Sequence, residues 1–94
     1  AFASGLASLA VPCRGLFLLA PPLAIPGYPR ALELAPVATE IVHGWHDELI
    51  PAQGVIDFAR QRRIDLHLVD DEHRLAGHVE LIAEWFGLFL DRLP

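Results

Sequence analysis

Three short apolar runs along the chain predict three β-strands. Gly15 to Ala20 is apolar throughout, which is typical of a parallel strand covered on both faces. Thr39 to His43 predicts a second buried strand. Leu66 to Val69 alternates in character, so we expect this third strand to be less buried and to lie at a sheet edge.

Apolar residues at helical spacing mark three further segments. Phe2 to Ala10 predicts a helix that is ended by Pro12. A second helix begins at Pro51, because proline is favoured in a first turn, and ends in the arginine-rich turn 60–63. The last helix, Gly77 to Arg92, presents one apolar stripe, made up of Val79, Ile82, Trp85, Phe86, Phe89 and Leu93. The order α-β-β-α-β-α predicts an α/β fold with a parallel sheet in a three-layer αβα arrangement.

Residues 21–38 form a proline-rich loop between the first two predicted strands. A loop of this length is usually functional or a shortened connection. It is too short for a separate cap domain, so we expect an open site and small or exposed substrates.

Composition narrows the class of protein. The 94 residues allow one domain, residues 1–94, and 53% of them are hydrophobic, which is high for a free-standing domain of this size. We therefore expect part of a larger fold, and the lack of any methionine indicates a start inside a longer protein. A net charge of −5 argues against a nucleic-acid partner. No segment has the run of about 18 apolar residues that spans a bilayer, and the single cysteine excludes an intrachain disulfide, which suits a cytoplasmic location.

Two residues with catalytic potential follow the second and third predicted strands. Asp47 lies three residues past Gly44, and His73 lies four past Val69. Because the carboxyl ends of parallel strands share one edge of a sheet, both residues are expected at the edge where catalytic groups gather.

Other interpretations of these residues stay open. Asp47 is alternatively a cap for the helix that begins near Pro51, and His73 is alternatively an ordinary loop histidine. Mixtures of histidine and aspartate also bind zinc, although we predict neither a metal nor a cofactor. The candidate ligands would be His43, His46, Asp47, His73 and His78.

The chain resembles the carboxy-terminal half of a small bacterial α/β-hydrolase of the esterase-like kind. The matching segments are Arg14 to Pro21, Val42 to Pro51 and Val69 to Leu75. Their most specific piece is the motif Gly-x-x-Asp-x-x-x-Pro that ends at Pro51, followed by His73. The resemblance implies that Asp47 is the acid and His73 the base of a Ser-His-Asp triad.

The same resemblance places the nucleophilic serine outside this chain. It implies a Gly-x-Ser-x-Gly elbow whose serine lies about three residues before Ala1. Ser4 and Ser8 lack the strand and the glycines of such an elbow, so we interpret them as helix residues. We expect the acids that flank the histidine, Asp70, Asp71 and Glu72, to act only indirectly.

The implied function is that of a serine hydrolase acting on an ester, thioester or amide, for which this chain supplies the acid and the base. On its own the chain would be inactive. The alternative is a truncated or degenerate hydrolase domain that acts as a binding or assembly module. In either case the strand at 15–20 would leave an unpaired apolar edge, so we expect the isolated chain to form homo-oligomers or to be poorly soluble.

Overall fold

Three parallel strands form the sheet. They are β1 (Gly15–Leu19), β2 (Ala38–Gly44) and β3 (Asp65–Val69), and β2 lies between the other two. The computed structural model describes residues 13–23 and 34–93. The helix predicted over 2–10 and most of the proline-rich loop lie outside the described residues.

The burial of two of the three strands agrees with the prediction from their sequences. All residues of β2 from Glu40 to Gly44 are buried, as expected for a central strand without polar alternation. β3 is only partly buried and lies at one edge of the described sheet, as its alternating pattern predicted. The prediction that β1 is covered on both faces is wrong at its end, because β1 lies at the other edge and Leu19 is 52% exposed.

Two helices cover the two faces of the sheet. Helix α1 spans Ala52–Arg62, and helix α2 spans Val79–Arg92 directly after a 3-10 turn at Ala76–His78. On one face the buried cluster is Leu18, Ile41, Val55 and Phe58, the last two from α1. On the other face the buried cluster is Ala20, Val42, Val69 and Leu75, with Ile82 and Trp85 of α2 packed against it. The three-layer α/β architecture predicted from the sequence is therefore present.

The helix ends differ from the predicted ones in detail. Pro51 occupies the cap position before α1 and not the first turn. At the other end, Arg63 adopts a left-handed conformation with φ 54°, and the next backbone N–H, that of Ile64, donates to the Ala59 carbonyl. The chain can thereby turn sharply from α1 into β3.

The apolar stripe predicted for α2 is only partly buried. Phe89 is 4% exposed, and Ile82 and Trp85 pack against the sheet. Val79 is 64% exposed, so its assignment to the inner face is wrong. The core next to the start of α2 is filled instead by Leu75, which precedes the 3-10 turn and is 3% exposed.

Candidate active site

Asp47 is positioned by a turn that closes the end of β2. Its backbone N–H donates to the Gly44 carbonyl at 3.3 Å. The turn is also tied to the end of β3, since Trp45 N–H donates to Val69 O at 2.9 Å and His46 N–H donates to Asp71 O at 3.0 Å. The carboxyl ends of the two strands are therefore held together by backbone hydrogen bonds, as parallel pairing predicted.

The Asp47 carboxylate is buried and hydrogen-bonded on both oxygens. Oδ1 accepts the backbone N–H groups of Leu49 at 2.9 Å and Ile50 at 2.8 Å, and Oδ2 faces Nδ1 of His73 at 2.7 Å. Burial acts to raise the pKa of Asp47, but the hydrogen bonds from Ile50, His73 and Leu49 outweigh it and lower the pKa below its ordinary value. Asp47 is therefore ionised at neutral pH.

His73 lies on the loop after β3 and meets Asp47 through one ring nitrogen. Because an ionised carboxylate only accepts hydrogen bonds, Nδ1 carries the proton and Nε2 of a neutral ring is left as the acceptor. The His73 side chain is 38% exposed, whereas the Asp47 side chain is fully buried. Asp47 thus orients a histidine that remains open to a ligand.

A surface cavity of about 260 Å³ borders the His73 ring. It is lined by His46, Glu48, Leu49, Glu72, His73 and Arg74. The lining comes from the loops after β2 and β3, so the cavity lies at the sheet edge where the sequence predicted the site.

The loop that carries His73 is held by Asp71. Its Oδ1 accepts the backbone N–H of Glu72, and its Oδ2 accepts the N–H of Gly77 and faces Nδ1 of His78 at 2.9 Å. The hydrogen bond with His78, followed by those from Glu72 and Gly77, lowers the pKa of Asp71. The sequence pointed to Asp71 only as a neighbouring charge, whereas the structure shows that it closes the loop.

Gly44 allows the two loops to approach each other. A Cβ at this position would lie 2.4 Å from the Asp71 carbonyl oxygen and 2.7 Å from that of Glu72. Both contacts are with backbone atoms, which cannot rotate away. The glycine of the sequence motif is therefore required by the close approach of the His73 loop.

The alternative interpretations receive little support from the geometry. α1 has no side-chain cap, because the hydrogen bonds of Asp47 go to residues that precede the helix. Among the residues that the structure describes, no group of three or more metal-ligating side chains is arranged to hold an ion. Two of the candidate ligands bond to separate acids, His46 to Asp70 and His78 to Asp71.

His43 is a site neighbour whose role the sequence did not reveal. Its side chain is fully buried, and its Nε2 lies 2.7 Å from the Ile50 carbonyl oxygen and 3.5 Å from Asp47 Oδ2. The sequence signal was present, since strand alternation puts His43 on the same face as the core residue Ile41. Its contact with Ile50 depends on the turn and could not be read from that alternation.

A parallel sheet between two helices, with an acid and a histidine paired at its carboxyl edge, is the arrangement found in part of an α/β-hydrolase. Comparison with solved structures finds the crystal structure of a proposed hydrolase of the alpha/beta superfamily from Xanthomonas campestris pv. campestris. The two are 47% identical with a TM-score of 0.93, over 98% of this chain and 53% of that one. The predicted resemblance is confirmed: this chain has the fold of part of an α/β-hydrolase.

The chain spans about half the length of that solved protein, 53% of it. No protein-family profile and no curated protein sequence matches the chain. No helix within the described residues has the length and apolar character needed to cross a membrane.

Proposed function

We propose that this chain supplies the acid and the base of a serine hydrolase. The observation that carries the proposal is the Asp47–His73 pair. The buried Asp47 carboxylate is held by two backbone N–H groups, and its Oδ2 lies 2.7 Å from Nδ1 of His73, whose side chain is partly exposed. The acid of a Ser-His-Asp triad makes the same contact, through which it selects the ring tautomer and stabilises the charged ring when it forms. The similarity to a proposed α/β-superfamily hydrolase supports a hydrolytic reaction in general.

In the proposed reaction His73 transfers protons through Nε2. The hydroxyl of a serine located before Ala1 attacks the substrate carbonyl carbon while its proton passes to Nε2. As the bond to the leaving group breaks, His73 returns this proton to the departing oxygen, sulfur or nitrogen. A water molecule then attacks the acyl-serine, gives a proton to His73, and the serine oxygen leaves with that proton. Asp47 stays ionised throughout.

The proposed substrates are small esters, thioesters or amides. The cavity beside His73 is bounded by exposed side chains, with Leu49 75% exposed, so it suits small or exposed substrates. We include a cytoplasmic location and the absence of a nucleic-acid partner in the proposal, on the basis of the composition.

A fluorophosphonate probe tests the proposal, because it reacts covalently with an activated serine. The full-length protein should be labelled, and replacement of the serine upstream of Ala1 should abolish labelling. His73→Ala should abolish both labelling and ester turnover while the far-ultraviolet circular dichroism stays unchanged. His67→Gln, which alters a histidine within β3 that does not line the cavity, is the matched control and should be labelled normally. A folded full-length protein that is not labelled would overturn the proposal.

A second candidate function is that of a non-catalytic assembly module. The observation that favours it is the number of large apolar side chains on the surface, since such surfaces often bind partners. In α2 the exposed large apolar residues are Val79, Leu81, Phe86, Leu88 and Leu90. The labelling experiment separates the two functions, because a module without catalysis would remain unlabelled although folded.

A further inference from the structure

His43 is a buried histidine that the proton transfers do not use. It lies near the end of β2 with no exposed surface, next to the fully buried Asp47 side chain. Its Nδ1 is buried and has no hydrogen-bond partner among the described residues. Leaving a buried polar atom unpaired costs free energy, so the presence of a histidine at this position requires an explanation.

The other ring nitrogen of His43 has a defined partner. Nε2 lies 2.7 Å from the Ile50 carbonyl oxygen. Because a carbonyl oxygen only accepts, Nε2 carries the proton and donates it to Ile50. The tautomer of His43 is thus opposite to that of His73, whose proton lies on Nδ1.

Ile50 connects His43 to Asp47. The carbonyl of Ile50 accepts from His43, while the N–H of the same residue donates to Asp47 Oδ1 at 2.8 Å. Fixing the carbonyl therefore also fixes the residue whose N–H holds the carboxylate. The Nε2–H group additionally lies 3.5 Å from Asp47 Oδ2, the oxygen that meets His73.

We propose that His43 is a positioning residue for Asp47: it holds the turn that aims the Asp47 carboxylate at His73. Its catalytic consequence rests on the proposed hydrolase function, whereas its effect on the Asp47 carboxylate does not. An apolar residue would fill the same space next to Ile41, but it would leave the Ile50 carbonyl without its donor. The hydrogen bond from His43 Nε2–H to the Ile50 carbonyl explains why a histidine occupies this buried position.

Two substitutions separate the donor from the bulk of the ring. Glutamine in His43→Gln carries an amide N–H at about the reach of Nε2 and can still donate to Ile50. Asparagine in His43→Asn has the same amide on a shorter side chain, which reaches only about as far as Nδ1. Both variants bury an amide at the same position, so they form a matched pair.

We expect the variants to differ in turnover by the full-length protein. His43→Asn should lower kcat on the order of 10- to 100-fold with little change in KM, because a displacement on the order of 1 Å has about this effect. His43→Gln should stay within about threefold of the wild type, since it restores the donor. Equal kcat values for the two folded variants would overturn the proposal.

Titration of the Asp47 carboxyl carbon by nuclear magnetic resonance, assigned with Asp47→Asn, gives a readout that does not need activity. In His43→Asn the pKa of Asp47 should rise because the hydrogen bond from Ile50 weakens, and in His43→Gln it should stay unchanged. An identical Asp47 titration in both variants would overturn the proposal. A wild-type protein without ester turnover would overturn only the hydrolase function. The Asp47 titration would then still decide whether His43 positions Asp47.

The tautomer of His43 is measurable in the wild-type protein by the ¹⁵N shifts of its ring, so the test does not depend on a variant that folds. The proposal requires the proton on Nε2. A proton found on Nδ1 would overturn it.

Discussion

Replacing Asp47 with asparagine changes the chemistry of the site while keeping its shape. The carboxylate accepts two backbone N–H groups on Oδ1 and faces the His73 ring through Oδ2. The amide oxygen of asparagine can replace only one of these oxygens. Since two N–H donors surround Oδ1, the amide oxygen should lie there, and the amide NH2 should face His73.

This orientation inverts the tautomer of His73. An NH2 group only donates, so Nδ1 must become the acceptor and the proton must move to Nε2. In the proposed mechanism Nε2 then cannot take the proton of the serine. We expect kcat to fall on the order of 10⁴-fold, as the wrong tautomer does in a Ser-His-Asp triad. That factor corresponds to about 5 kcal/mol in activation free energy.

The loss of stability should be much smaller than the loss of activity. The two backbone hydrogen bonds to Oδ1 are preserved, and the lost interaction is one hydrogen bond to a charged group. Such a bond contributes about 1.5–3 kcal/mol to the free energy of unfolding. The new contact between the amide NH2 and Nδ1 restores part of it.

The assay is ester turnover by the full-length protein, combined with urea unfolding of the same samples. Asp70→Asn is the matched control, because Asp70 also bonds to a histidine, His46, at 2.6 Å, but both side chains are mostly exposed. Exposed pairs of this kind contribute about 0–1 kcal/mol, so turnover and stability should hardly change.

The reasoning would be refuted if Asp47→Asn retained turnover within about tenfold of the wild type. It would also be refuted if ¹⁵N shifts in that variant showed the His73 proton still on Nδ1. Either result would mean that Asp47 does not set the tautomer.

The remaining predictions concern packing, pH and self-association. Gly44→Ala should lower the free energy of unfolding by about 1–3 kcal/mol, because the new Cβ meets two carbonyl oxygens. Gly87→Ala, in the interior of α2, should raise the free energy of unfolding by about 1 kcal/mol, because a Cβ there meets nothing within 4 Å. Urea unfolding measures both changes. The pKa of Asp47 is lower in the folded than in the unfolded chain, so its contribution to stability is complete above the unfolded value of about 4 and is lost as the pH falls through the folded pKa. Unfolding curves at a series of acidic pH values should therefore show a shallower loss of stability for Asp47→Asn, and parallel curves would contradict this. The isolated 94-residue chain should self-associate through the β1 edge, and Leu19→Lys, a charge on that edge, should reduce this in size-exclusion chromatography with light scattering. A wild-type chain that runs as a monodisperse monomer would count against the edge as the cause.

The described strands and helices could be predicted from local patterns of apolar residues in the sequence. The unbroken apolar run before Pro21 and the helical spacing from Ile82 to Phe89 each predict one element of the correct type. The prediction that Val79 is buried was wrong, because periodicity defines an apolar stripe but not how far the sheet extends beneath it. The prediction that Leu19 is covered was wrong, because a continuous apolar run does not show which strand lies at the edge of the sheet.

Part of the candidate site was also predictable. Asp47 and His73 could be singled out because parallel strands bring their carboxyl ends together, and the structure places their side chains 2.7 Å apart. The roles of Asp71 and His43 could not be derived. Each depends on contacts with residues whose position is set by loop geometry, such as Gly77 for Asp71 and Ile50 for His43.

The order of the described elements, the α/β class and the edge at which an acid and a histidine would meet could all be derived from the sequence. These features depend on hydrophobic periodicity and on the geometry of parallel sheets, both of which are local or general. How the pair is held depends on tertiary contacts, because two loops from different strands must close on each other. The approach at Gly44, the hydrogen bonds of Asp71 and the donor from His43 are contacts of this kind. Although burial acts to raise the pKa of Asp47, its hydrogen bonds with Ile50, His73 and Leu49 lower it, and the His73 side chain remains 38% exposed.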